Sequence, residues 1–213
     1  MKKLKADIWA SITFFLAFIG WTFAVFQMDV RSIGPENSEV GMAAINSSFH
    51  NLTGVHMELY LLTDWLSLLP LVIVLFFGVT GLFQWIKRKR LWDVDRDILG
   101  LGIFYILVMA AFTFFEVVVI NYRPVLIEDV LEPSYPSSTT MLVVTVMLST
   151  IMQIRCRIKH PIVMRILVCL SVVFAAFMVV GRLLSGVHWL SDIIGGLLLS
   201  AALCFGYRAF LRK

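Results

Sequence analysis

Six apolar runs divide this chain, and each is long enough to cross a hydrocarbon layer of roughly 30 Å as a helix. They span about Ile8–Phe26, Leu61–Ile86, Ile98–Ile120, Ser138–Ile154, Ile162–Leu184 and Trp189–Phe210. Inside a bilayer each backbone N–H and C=O must find its partner within the segment, so such runs fold as helices. The sequence therefore predicts an all-α, polytopic membrane protein, a six-transmembrane-helix bundle, read as one integral-membrane domain over residues 1–213. A chain that is 60% hydrophobic, with mean hydropathy +0.89, is no ordinary soluble domain, and no nucleic-acid partner is expected.

The charges fall on alternate connections. Lys2, Lys3 and Lys5 precede the first run, and Lys87, Arg88, Lys89 and Arg90 follow the second. Arg155, Arg157, Lys159 and Arg165 surround the fourth connection, and Arg208, Arg212 and Lys213 close the chain. The positive-inside rule then predicts both termini in the cytoplasm of a multi-pass plasma-membrane protein, with the first run retained as a span. The other connections are poor in lysine and arginine apart from Arg31, Arg123 and Arg182. Arg123 and Arg182 are thus expected on the extracytoplasmic face, against the topogenic trend, which points to a ligand. Cys156, Cys169 and Cys204 lie in or beside apolar runs and are expected to be inert buried thiols.

The densest chemistry is Arg182-Leu-Leu-Ser-Gly-Val-His188-Trp-Leu-Ser-Asp192. If the chain is helical from Trp189 onward, His188 and Asp192 share one face, a turn apart. The carboxylate can then accept one ring N–H and leave the other nitrogen free to attack or to take a proton. A break at Ser185-Gly186 would let Arg182 fold back beside the imidazole and bind an anion. The structural alternative has Arg182 snorkelling, His188 at the interface and Asp192 capping the last helix. Upstream, Pro124, Pro133 and Pro136 prevent a continuous helix, and Ser137 and Ser138 then open the fourth span. A helix start there offers free backbone N–H groups to a phosphate, so the Ser137–Thr139 turn joins Arg123, Arg182 and His188 on one membrane face.

The connection from Gln27 to Tyr60 is the longest. Phe49, Leu52, Val55, Leu59 and Leu62 recur at helical spacing and predict an interfacial amphipathic helix running into the second span, as a lid or a cover. Asn46-Ser-Ser and Asn51-Leu-Thr match the glycosylation acceptor pattern, which arises easily by chance. Asp64-Trp65, near the start of the second span, reads first as an interface anchor, with a functional role for Asp64 as the alternative.

In these residues the chain resembles the phosphatidic acid phosphatase type 2 superfamily, integral-membrane relatives of the vanadium haloperoxidases. That family carries Lys-x6-Arg-Pro, then Pro-Ser-Gly-His, then Ser-Arg-x5-His-x3-Asp. Here Arg182-x5-His188-x3-Asp192 meets the third motif, with Gly181 for its serine. Arg123-Pro124 meets half of the first, Glu116 standing at the lysine position. The second reads Pro136-Ser137-Ser138-Thr139, so Thr139 stands at the histidine position.

The resemblance implies a metal-independent lipid phosphate or lipid diphosphate phosphatase that needs no cofactor. His188 would be the nucleophile, forming a phosphohistidine, and Asp192 would orient it. Arg123 and Arg182 would clamp the phosphate, assisted by Ser137, Ser138 and Thr139. The partner would be a phosphorylated membrane lipid of the phosphatidate, phosphatidylglycerophosphate or polyprenyl diphosphate type. The family's second-motif histidine protonates the leaving group, and losing a general acid costs about 10²–10⁴-fold in rate. Glu116 would repel a phosphate, or pair with Arg123 or Arg182 and weaken their grip. Three readings follow. The enzyme is slow and suited to good leaving groups; or His50, His56 or a protonated Glu116 supplies the proton; or the chain is a catalytically impaired relative that binds or presents a phosphorylated lipid.

Overall fold

The computed structural model describes residues 1–212; Lys213, counted above among the C-terminal charges, lies outside the described residues. The helices are α1 (Lys2–Gln27), α2 (Ala43–Thr53), α3 (Met57–Leu66), α4 (Leu68–Arg88), α5 (Arg96–Val117), α6 (Ser138–Arg157), α7 (Pro161–Leu184) and α8 (Leu190–Leu211). α3 and α4 run on through Ser67 as one span, which gives six helices long and apolar enough to cross a membrane among the described residues. Each predicted run falls on one of them, and the chain is a multi-pass membrane protein.

The spans are not equivalent. Half of the most apolar stretch of α6 and of α8 is buried, against 11% for α1, α3–α4 and α7. Lipid accepts only apolar side chains, so polar residues collect on the enclosed helices. Thr140, Thr145, Ser149 and Gln153 on α6, and Ser191 and Ser200 on α8, are all buried. Most of their polar groups close on protein partners: Gln153 Nε2 donates to Tyr207 Oη at 2.7 Å, and Ser200 Oγ donates to the Gly196 carbonyl at 2.7 Å, whereas the Thr140 hydroxyl has no partner among the described residues. α8 also lies along α1, where Ser11 Oγ donates to the Ala202 carbonyl at 2.8 Å and Phe14 stacks on Phe205.

One end of the bundle is tied by ion pairs. Asp7 Oδ1 takes Nε and Nη2 of Arg208 at 2.9 and 2.5 Å, and Arg212 Nε stands 2.7 Å from Oδ2. Arg157 reaches Asp97 at 2.5 Å and Arg88 reaches Asp95 at 2.8 Å. The opposite end is built by the connections 28–56, 118–137 and 185–189.

The longest connection differs from the single helix expected. It forms a two-stranded ribbon, β1 (Arg31–Ser32) antiparallel to β2 (Glu39–Val40), and then α2. α2 stops at Gly54, whose φ of 69° no helix continues, and α3 starts afresh at Met57. The apolar positions from Phe49 to Leu62 therefore belong to two helices, and Leu52 is 82% exposed. What holds α2 is polar. Asn46 is buried against α8, its Nδ2 donating to the Gly41 carbonyl at 2.8 Å and to Ser191 Oγ at 2.9 Å. That burial removes Asn46 as a glycosylation acceptor; Asn51 is exposed.

The same connection is pinned to the α7–α8 turn, where the His56 N–H donates to the Ser185 carbonyl at 2.9 Å. Gly186 has φ of 71°, and a Cβ there would lie 2.1 Å from the Gly54 carbonyl oxygen, so the turn requires glycine. The expectation of three buried thiols fails for two. Cys204 is buried, but Cys156 and Cys169 are exposed. An apolar run in a membrane helix has a lipid-facing side, so apolar neighbours in sequence do not make a residue interior. Two apolar clefts of about 550 and 530 Å³ open between α4 and α5 and between α1 and α5, away from the residues described next.

Candidate active site

His188 precedes α8 rather than standing on it. Trp189 is the N-cap and Asp192 the third helical residue, so the expected shared helix face is not how the two meet. The turn from Ser185 brings them together instead: His188 Nδ1 lies 3.7 Å from Asp192 Oδ2, within ion-pair range for a protonated ring but beyond a hydrogen bond. Asp192 also caps α8, since Oδ2 accepts the Trp189 backbone N–H at 2.9 Å. The expected ring N–H hydrogen bond is not formed, and the capping reading holds for this carboxylate. Its other oxygen accepts from Asn121 Nδ2 at 3.3 Å and Ser191 Oγ at 3.4 Å. Asn121 is fully buried, takes the Gly41 N–H at 3.0 Å, and so ties the carboxylate to both long connections.

The imidazole is enclosed, at 3% exposure, and neither ring nitrogen has a hydrogen-bond partner among the described residues. Burial pushes its pKa down to about 4 against the pull of Asp192, and the guanidiniums of Arg123 and Arg182 push the same way. His188 is thus a neutral base at ordinary pH, with a lone pair free.

Arg182 ends α7 and is 2% exposed. Its Nη2 donates to Asp64 Oδ1 at 2.9 Å and to Thr139 Oγ1 at 2.6 Å. Its Nε and Nη1 are buried without partners among the described residues. The snorkelling alternative is therefore wrong: the guanidinium turns inward. Arg123 sits on a hairpin-like loop closed by the bridge of Tyr122 to Pro133, and its Nε lies 3.0 Å from Glu132 Oε2. Arg123 Nη1 has no partner among the described residues. Both guanidiniums lie over the ring of Tyr60, at 4.7 Å for Arg182 and 5.9 Å for Arg123. Trp189 Nε1 donates to the Tyr122 carbonyl at 2.7 Å, which locks the residue after His188 to the residue before Arg123.

At the start of α6, Ser137 is the N-cap. Its hydroxyl accepts the Thr140 N–H at 3.4 Å, and its own N–H donates to the Asp192 carbonyl at 3.0 Å. Ser137 is thereby committed to the fold, whereas Ser138 and Thr139 keep the first-turn N–H groups. Glu116 does not make the expected pairing with Arg123 or Arg182. It is exposed, lines a narrow crevice with Ser134 and Ser138, and pairs with neither arginine. The carboxylates that do pair are Glu132 and Asp64.

Two histidines stand nearby without reaching Arg182. His50 packs its ring against Trp189 at 5.4 Å, has an unpartnered buried Nδ1, and is held below the usual imidazole pKa by burial. His56 is exposed and its Nε2 bonds the Thr53 carbonyl at 2.9 Å. Sequence reasoning missed Tyr60, Glu132 and Asn121, and took Asp64 for an anchor. An acidic residue at the mouth of an apolar span was the available signal for Asp64; Asn121 and Glu132 carried none. Among the described residues no group of three His, Cys, Asp or Glu side chains could hold a metal ion.

A family model described as the PAP2 superfamily matches residues 108–213, a stretch that contains Arg123, Thr139, Arg182, His188 and Asp192. No curated protein sequence matches the chain. Among solved structures, the fold is similar to "the first transmembrane PAP2 type phosphatidylglycerolphosphate phosphatase from Bacillus subtilis". The two chains are 19% identical, the likeness covers 96% of this chain and 97% of that one, and the TM-score is 0.56.

Proposed function

We propose that this chain, which belongs to the PAP2 superfamily, is a lipid phosphate or lipid diphosphate phosphatase working through a phosphohistidine on His188. The observation that carries the reading is the enclosed trio of His188, Arg123 and Arg182. Among the described residues four guanidinium nitrogens there make no hydrogen bond, Nε and Nη1 of each arginine, though Arg123 Nε is ion-paired with Glu132, and they act on an imidazole with a free lone pair. Buried donors without partners cost free energy, and phosphoryl oxygens would satisfy them. Nε2 of His188 attacks phosphorus, because Nδ1 faces Asp192. Asp192 stabilises the positive ring that forms, Arg123 and Arg182 hold the charge of the phosphoryl group, and the N–H groups of Ser138 and Thr139 assist. The alternate placement of lysine and arginine supports cytoplasmic termini, a plasma-membrane location and a site facing out.

The substrate class is a phosphorylated membrane lipid: phosphatidate, phosphatidylglycerophosphate or a polyprenyl diphosphate presents the same oxygens to this clamp. Thr139 at the histidine position, and carboxylates already resting on both arginines, favour a second reading, a weak enzyme that chiefly binds or presents such a lipid. The test is phosphate release by the purified protein in detergent micelles from each of the three lipids. We expect release that His188→Ala lowers by more than about 10⁴-fold, as loss of a nucleophile does. Release from none of them above that variant's background would reject the phosphatase reading, and lipid retention without release would establish the second.

A further inference from the structure

The leaving group has no proton donor at the position where the family motif has histidine, because Thr139 cannot act as an acid. Neither histidine of the long connection is bonded to Arg182 or Thr139 among the described residues. His56 is turned to the Thr53 carbonyl, and His50 packs its ring on Trp189. Glu116 touches neither arginine. One titratable side chain does share the ground of Thr139. Asp64 Oδ1 and Thr139 Oγ1 are bonded to the same nitrogen, Nη2 of Arg182, at 2.9 and 2.6 Å. Asp64 comes from α3, outside the stretch that the family model matches. Its side chain is 54% exposed, unlike the 2% of Arg182, so it can turn away from the guanidinium and exchange protons. The surface around it suits a lipid: Leu61 and Trp65, one turn before and one residue after, are 51% and 72% exposed.

We propose that Asp64 takes the role of the missing motif histidine, protonating the leaving oxygen and later activating water. This rests on the phosphatase reading above. A phosphomonoester arrives as the monoanion and its oxygens displace Asp64 from Arg182. The P–OH proton passes to the freed Asp64 carboxylate. Nε2 of His188 then forms its bond to phosphorus as the P–O bond to the alcohol breaks, and the proton on Asp64 goes to the departing oxygen. In the second half, water attacks phosphorus, the P–N bond breaks, and Asp64 takes the proton that water gives up. Asp64 returns that proton to the phosphate, which leaves as the monoanion, and His188 is again neutral. Charge and protons balance over the cycle with no other reactant. A lipid diphosphate would depend on Asp64 far less, since its leaving group is itself a phosphate.

The test is Asp64→Asn, assayed in detergent micelles on phosphatidate and on a polyprenyl diphosphate, with the folded fraction checked by size exclusion. We expect kcat on phosphatidate to fall by roughly 10²–10⁴-fold, and kcat on the diphosphate by less than about tenfold. Adding Thr139→His to Asp64→Asn should restore much of the loss on phosphatidate, which a merely structural Asp64 would not permit. Equal losses on both lipids, or none on either, overturn the assignment while leaving a parent that still depends on His188. A parent that releases phosphate from neither lipid overturns the phosphatase reading, and this assignment with it.

Discussion

The two ends of the bundle hold the same kinds of charged side chain and use them in opposite ways. At the end that carries the chain termini, carboxylates and guanidiniums meet one another: Asp7 with Arg208 and Arg212, Asp97 with Arg157, Asp95 with Arg88. At the other end, among the described residues, Arg182 spends one nitrogen on both Asp64 and Thr139 and leaves two buried and unmet, and His188 leaves both of its own. A buried polar group without a partner costs about 1–3 kcal/mol. Paired charges hold helices together; on the phosphatase reading proposed above, the charges buried and left open would keep a place for an anion that comes and goes.

The sharpest way to break that contrast is to make the same change at each end. Arg182→Lys keeps the charge but removes the planar fork and its open donors. We expect kcat/KM for a lipid phosphate to fall about 10²–10³-fold, the cost of removing a donor aimed at developing charge. Arg157→Lys, on a pair that is 37% and 26% exposed, should change kcat/KM by less than about threefold. Similar losses from both would erase the distinction.

Acid separates the ends by window rather than by rate. The folded pKa of His188 is depressed from 6.5 to about 4, so between those values the unfolded chain binds a proton that the folded chain does not. Stability is therefore present above about pH 6.5 and drains away as the pH falls towards 4, by on the order of 3 kcal/mol at the limit. Phosphate release should persist to mildly acid pH and then fail as the imidazole takes its proton. Asp95, at the other end, is also depressed, mainly by its hydrogen bond from Arg88, and its contribution is lost only as the pH drops below the ordinary carboxylate value of 3.8. Unfolding of the parent and His188→Ala in detergent, followed from pH 7.5 to 4, reads the difference. Parallel curves would mean that the imidazole is not shielded.

The spans were legible because bilayer thickness leaves one solution for a long apolar run, and all six appear. Arg123, Arg182 and His188 were legible as a group because charge at an outer helix end is expensive. How they are held was not. Three-dimensional pairing decides which carboxylate reaches an arginine, and the family motif drew attention to Glu116 rather than to Glu132, which returns across the hairpin, or to Asp64, more than a hundred positions upstream of Arg182. The spacing of His188 and Asp192 pointed to the right contact for the wrong reason: a turn pinned by Gly186, not a helix face, brings them to 3.7 Å. The bridging roles of Asn46 and Asn121 left no trace in the sequence, because a neutral amide that joins distant segments looks like any polar residue of a connection.

The smallest expected effect tests the paired end itself. Asp7 is 3% exposed as a side chain and joins the start of α1 to the end of α8 through two arginines. Asp7→Asn keeps the shape but removes the charge that both guanidiniums meet. Those guanidiniums are 39% and 35% exposed, so water recovers part of what they lose. The fold should lose about 1–3 kcal/mol, read as a lower thermal midpoint in detergent. Release per folded molecule should stay within about twofold, since nothing at this end touches the trio of His188, Arg123 and Arg182. A variant as stable as the parent would show that the ion pairs here do not hold the helices. A variant that is stable but inactive would show that strain passes along α8 from Arg208 to Asp192, and the two ends could then no longer be treated as separate in purpose.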